Sequence, residues 1–203
     1  MRIKYNAPTI LTFTFISVLV LLLSQTLFPS LTAQWFAVPG KENFSPRNFR
    51  NLANLITHVI GHADWNHLVS NFSLILLLGP MLEENYGSSS MLCMIVITAL
   101  VTGLLNVFLF PTGLLGASGV VFMMILLSSF TNSNKGEIPL TFILVLVLYV
   151  GSEFINSFKE DDISQFAHIA GGFCGSLFGF FRDTRKDKRI QRAEGMENRR
   201  RLE

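Results

Sequence analysis

Ser118, His168, His67 and Asn71 are the residues of this chain whose types and spacing could do covalent chemistry. A serine hydroxyl becomes a useful nucleophile when a base within hydrogen-bond reach takes its proton, and a neutral imidazole titrating near neutrality suits that task. Ser118, in Gly116-Ala117-Ser118-Gly119, and His168, in Ala167-His168-Ile169-Ala170-Gly171-Gly172, supply such a pair. Attack on a carbonyl carbon builds an oxyanion that needs preorganised donors. His67 and Asn71 stand four residues apart, so a helix projects both from one face. The backbone N–H of Ser118, near a helix start, adds a third donor. Together these groups could perform acyl transfer.

The elements that must position them are expected to be membrane helices. Half of the 203 residues are apolar and only 15% are charged, against roughly a quarter charged in soluble domains. A hydrocarbon core about 30 Å thick takes about 20 apolar residues per helix. Six apolar runs are candidates, at residues 9–27, 66–82, 91–110, 117–130, 138–155 and 166–181, the fourth and sixth being short. The first is longer than the apolar stretch of a typical signal peptide and is read as a retained helix. Lys and Arg near span ends stay on the cytoplasmic side. Arg2 and Lys4, Lys135, and the basic tail fall on one side of a six-span chain. Both termini are therefore expected in the cytoplasm. The starts of spans two, four and six, which carry His67 and Asn71, Ser118, and His168, then open on the outer face.

For Ser118 to meet His168, spans four and six must pack closely. Gly171, Gly175 and Gly179 give span six a flat face at four-residue spacing, and Gly116 and Gly119 do the same for span four. The first loop, residues 30–65, is long for a connection and mixes Trp35, Phe36, Phe44, Phe49 and Leu55 with prolines and charges. It is predicted to form short interfacial helices, with Trp35 as a headgroup anchor. The domain organisation is thus a cytoplasmic N-terminus at 1–8, a membrane domain at 9–183 and a polar basic cytoplasmic tail at 184–203. From Arg182 onward the chain has nine Lys/Arg against five Asp/Glu, so the overall net charge of +2 is a property of the tail. This rules out a nucleic-acid-binding body. Cys93 and Cys174 lie inside apolar runs and make no disulfide framework.

With these residues in this order the sequence resembles the rhomboid family of intramembrane serine proteases. The likeness rests on Gly116-Ala117-Ser118-Gly119, on Ala167-His168 with Gly171 and Gly172, and on His67 with Asn71. Arg50, the series His58, His62, His67, and Glu83 with Gly87 extend it across about residues 47–180. The resemblance implies an all-α membrane protein, a six-transmembrane-helix bundle with an interfacial first loop. It implies a Ser–His dyad of Ser118 and His168 without a third acid, and an oxyanion site of His67, Asn71 and the Ser118 N–H. Gly116, Gly119, Phe122, Gly171 and Gly172 would pack the site, and span five would be the gate. The activity implied is cleavage of transmembrane segments of other proteins near the outer face, in a multi-pass protein of the bacterial inner membrane. Its partners would be transmembrane protein substrates and membrane lipid, with no nucleic acid; the oligomeric state is left open. Two positions depart from the common family pattern: Phe122 stands where many members carry tyrosine, and Phe49 where many carry tryptophan.

Other readings of the same residues predict different patterns. Ser118 alone could be a small residue at a helix contact, and Asn71 or His168 an interhelical hydrogen-bonder. His58, His62 and His67 invite a metal reading, but no HExxH is present, so neither a metal nor a cofactor is expected. His58 and His62 are expected instead to pin the first loop against the bundle. A transporter or channel would need a polar path across the bilayer, whereas the inner halves of these spans are nearly uncharged. A catalytically silent relative that binds membrane clients is the alternative function, and the presence of both dyad residues weighs against it.

Overall fold

The computed structural model describes residues 5–130, 138–144, 147, 148, 162–181 and 196. Seven helices are named among them: α1 (Pro8–Thr26), α2 (Leu31–Trp35), α3 (Phe49–Thr57), α4 (Trp65–Tyr86), α5 (Ser88–Leu109), α6 (Ser118–Ser128) and α7 (Asp162–Phe181). No strand occurs among the described residues; Val38 and Leu114 form one isolated antiparallel bridge.

Helix α6 is the centre of the bundle. Its 11 residues extend about 16 Å at 1.5 Å per residue, about half a hydrocarbon core. Gly119, Val120, Val121 and Met123 through Leu127 are all buried, as expected of a helix that is apolar all round. Helices α4, α5 and α7 pack around it, the α6–α7 pair most extensively. That pair meets where side chains are absent. A Cβ on Gly171 would fall on the backbone of Gly119, one on Gly175 on the backbone of Met123, and one on Gly179 on the ring of Phe130. Helix α1 packs on α4 at Gly79, which leaves room for the buried Ile10.

Asn54, His58, His62, Asn71, Glu83 and Thr102 are buried, while Phe15, Leu19, Leu77, Leu92, Phe108 and Phe173 are exposed. Lipid accommodates this distribution, because a polar group in hydrocarbon is stabilised by a partner inside the protein, which each of those six side chains has. Helices α1 and α5, of 19 and 22 residues, are long and apolar enough to cross a membrane.

Helix α4 continues beyond the predicted end at residue 82, to Tyr86. The reason is Glu83, which turns inward and accepts the N–H groups of Thr9 (2.9 Å) and Ile10 (3.0 Å). These are orphan donors of the first turn of α1, whose own N-cap Ala7 has no side chain to satisfy them. The fifth predicted span is described only at 138–144, 147 and 148, where Phe142 packs on Phe130 and Phe180. The rest of that span, the loop with Lys135, and all of the tail except Met196 lie outside the described residues.

Candidate active site

Ser118 is the first residue of α6, following Ala117, which makes no side-chain cap. Its backbone N–H is therefore among the four that a helix cannot satisfy internally. The turn before it is held in an unusual shape by Gly116, whose φ is +111°. L-residues rarely adopt this conformation, and glycine does so without steric penalty. Space demands glycine as well, since a Cβ at 116 would come within 2.6 Å of both Cε1 and Nε2 of His67. The same point lies 3.8 Å from Nδ2 of Asn71.

His67 and Asn71 reach this spot because of how α4 starts. Asp64 is extended, and its carboxylate accepts the N–H of His67 at 2.8 Å, an ordinary N-cap. His67 consequently sits in the first turn and Asn71 one turn further on the same face. His67 is half-buried and Asn71 is buried.

His168 comes from α7. Its imidazole stacks on Phe122 with centroids 4.3 Å apart and planes 8° from parallel. Phe122 is one turn along α6 from Ser118, so the histidine lies against the face that carries the serine. The close backbone contact of Gly119 with Gly171 sets this approach, and the carbonyl of Ala167, next to His168, also faces Gly119. Ser118, His168 and Phe122 are all half-buried. Gly172 packs more loosely, a Cβ there meeting Leu126 at 3.6 Å.

The first loop braces the turn before Ser118 from outside. The Gly116 N–H donates to the carbonyl of His58 (2.9 Å), Val38 and Leu114 exchange backbone bonds of 2.9 and 3.0 Å, and the Lys41 N–H donates to Phe110 (2.8 Å). Helices α2 and α3 are tied by Asn54 Nδ2, which donates to Ala37 (2.8 Å) and Gln34 (3.2 Å), and by the Thr57 hydroxyl, which donates to Trp35 (2.6 Å). The Arg50 guanidinium lies 4.8 Å from the centroid of the half-buried Trp35. Phe49, Leu52 and Ile56 form an exposed apolar stripe on α3.

His58 and His62 are both 1% exposed, and desolvation lowers each pKa to about 4, so both rings are neutral at neutral pH. His58 bonds through Nδ1 to the Asn54 carbonyl (3.1 Å) and through Nε2 to Thr102 of α5 (3.3 Å). His62 bonds through Nδ1 to the Ile60 carbonyl (3.1 Å) and through Nε2 to Nδ2 of Asn71 (3.2 Å). The two histidines thus hold the first loop to α5 and α4. Thr102 and the Asn71–His62 bond are site-supporting features that spacing in the sequence did not signal. A hollow of about 780 Å³ lies within the first loop, bordered by Gln34, Asn54, His62 and Pro111.

This arrangement gathers a serine at a helix start, an imidazole stacked one turn along the same helix, and the side chains of His67 and Asn71 against the preceding turn. Comparison with known proteins gives the family. A family model described as the Rhomboid domain matches residues 50–184. The chain is 26% identical over 128 residues to "Rhomboid protease GlpG" of Haemophilus influenzae, covering 62% of this chain and 67% of that protein. It is 24% identical over 152 residues to "Rhomboid-like protein 11, chloroplastic" of Arabidopsis thaliana, covering 73% and 51%. It is 31% identical over 154 residues to "Rhomboid-related protein 1" of Caenorhabditis elegans, covering 70% and 43%. The matches thus span about half the length of the plant and nematode relatives.

Proposed function

The chain belongs to the rhomboid family, and from that premise we propose that it is an intramembrane serine endopeptidase acting on transmembrane segments of other membrane proteins. The observation that carries the reading is the convergence on the turn before α6: His67 and Asn71 against Gly116, and His168 on Phe122, one turn from Ser118.

In the proposed reaction His168 takes the proton of the Ser118 hydroxyl as Oγ attacks the scissile carbonyl carbon. The oxyanion is received by His67, Asn71 and the Ser118 N–H. His168 then gives its proton to the leaving nitrogen as the C–N bond breaks, leaving an acyl ester on Ser118. Water enters, gives a proton to His168 and attacks the ester, and Ser118 leaves with that proton. The substrate must unwind locally, because a helical peptide keeps its carbonyls bonded. Span five is the proposed gate.

A six-span bundle with both termini in the cytoplasm and the site open to the outer face is part of the same proposal, with residues 9–183 as the membrane domain and 184–203 as its tail. The half-buried position of Ser118 is consistent with water access from that side. The exposed stripe of α3 supports an interfacial position for the loop. A bacterial inner membrane is the proposed setting.

The test is cleavage of a reporter transmembrane substrate by the purified protein in lipid vesicles. The parent is expected to cleave, with Ser118→Ala and His168→Ala each losing at least about 10³-fold. A folded parent that leaves a broad substrate panel intact would instead favour the client-binding alternative.

A further inference from the structure

Asn71 is a useful oxyanion donor only if its amide faces the right way, since a 180° turn about its last torsion exchanges a donor for an acceptor. Nothing in the nucleophile turn fixes that choice, but the first loop does. The Ile60 carbonyl can only accept, so Nδ1 of His62 carries the ring proton toward it (3.1 Å). The ring is neutral, which leaves Nε2 as an acceptor. Nε2 faces Asn71 at 3.2 Å and must receive an N–H, and Nδ2 is the atom found there. The same Nδ2 is also the Asn71 atom nearest the Gly116 turn. One of its hydrogens serves His62, and the other is free to point at the reacting carbonyl oxygen.

We infer that His62 is a positioning residue: by accepting one N–H of Asn71 in a buried bond, it locks the amide with its second N–H aimed into the oxyanion site. This rests on the protease reading and deepens it. The ring is held for the purpose by an edge contact with His67 (centroids 4.9 Å) and by Phe72 (5.6 Å).

The experiment is steady-state cleavage of a reporter transmembrane substrate by the full-length protein in lipid vesicles. The variants are His62→Phe, His62→Gln, Asn71→Ala and the double variant His62→Phe/Asn71→Ala, with thermal unfolding measured for each. Phenylalanine keeps the ring and removes the acceptor; His62→Leu repeats the test if the phenyl ring prevents folding. The expected result is a fall in kcat of about 10- to 100-fold for His62→Phe, with KM within about twofold. His62→Gln, whose Oε1 can take the same bond, should stay within about threefold of the parent. In the Asn71→Ala background the His62 substitution should do nothing further to kcat, since there is no amide left to aim. An equal additional fall in that background, or an unchanged kcat in folded His62→Phe, would overturn the positioning role. A parent that does not cleave at all would overturn the protease reading itself, and the inference with it.

Discussion

At the residue scale the site depends on a glycine as much as on any reactive group. Gly116 combines a φ of +111° with the ring of His67 against its α-carbon. Gly116→Ala should therefore cost about 1–3 kcal/mol of backbone strain and push the imidazole out of place, lowering kcat at least about tenfold. Kinetics and thermal unfolding of that variant check both effects, and a fully active, equally stable protein would contradict them. The candidate groups themselves were legible in the sequence: Ser118, His168, His67 and Asn71 are polar residues in apolar runs, and such residues stand out by type and spacing alone. Their supports were not. The bonds from His62 to Asn71, from Gly116 to His58 and from His58 to Thr102 join residues 9, 58 and 44 positions apart. No periodicity encodes which nitrogen meets which oxygen across such distances.

At the element scale, the glycine-lined approach of α6 and α7 follows from a four-residue repeat and could be read in advance. The fit of α1 could not, because its first-turn donors are satisfied by Glu83 from the far end of α4. Only the fold identifies α1 as what Glu83 holds. Glu83→Ala should lower stability by about 1–2 kcal/mol, the usual loss for a helix cap, through loosening of α1. Since Glu83 is remote from Ser118, kcat at a temperature where the variant remains folded should change less than about twofold. Unfolding in detergent together with cleavage in vesicles would separate the two effects, and an inactive but equally stable variant would contradict the capping role. The long first loop, whose composition predicted short helices, also braces the nucleophile turn through the Val38–Leu114 and Lys41–Phe110 backbone bonds.

At the scale of the whole molecule, the buried polar network makes stability depend on pH. His58 and His62 have pKa values of about 4 when folded, below the usual value near 6.5. Between those limits the unfolded chain binds more protons than the folded one, so stability rises with pH and is lost as pH falls through the window. The thermal midpoint should therefore drop from pH 7 to pH 5, by an amount corresponding to a few kcal/mol for the pair. His62→Gln should flatten the slope, and a midpoint independent of pH over this range would contradict the burial of two neutral imidazoles.

The same network surrounds a serine that has no reason to be reactive unless His168 acts on it. The most direct measurement is labelling of the folded parent in lipid vesicles with a fluorophosphonate, followed by mass mapping of the adduct. One phosphonylated residue, Ser118, is expected, with labelling abolished in Ser118→Ala and strongly reduced in His168→Ala. A folded parent whose Ser118 stays unmodified while the probe labels a known serine hydrolase alongside it would contradict the claim that this serine is an activated nucleophile.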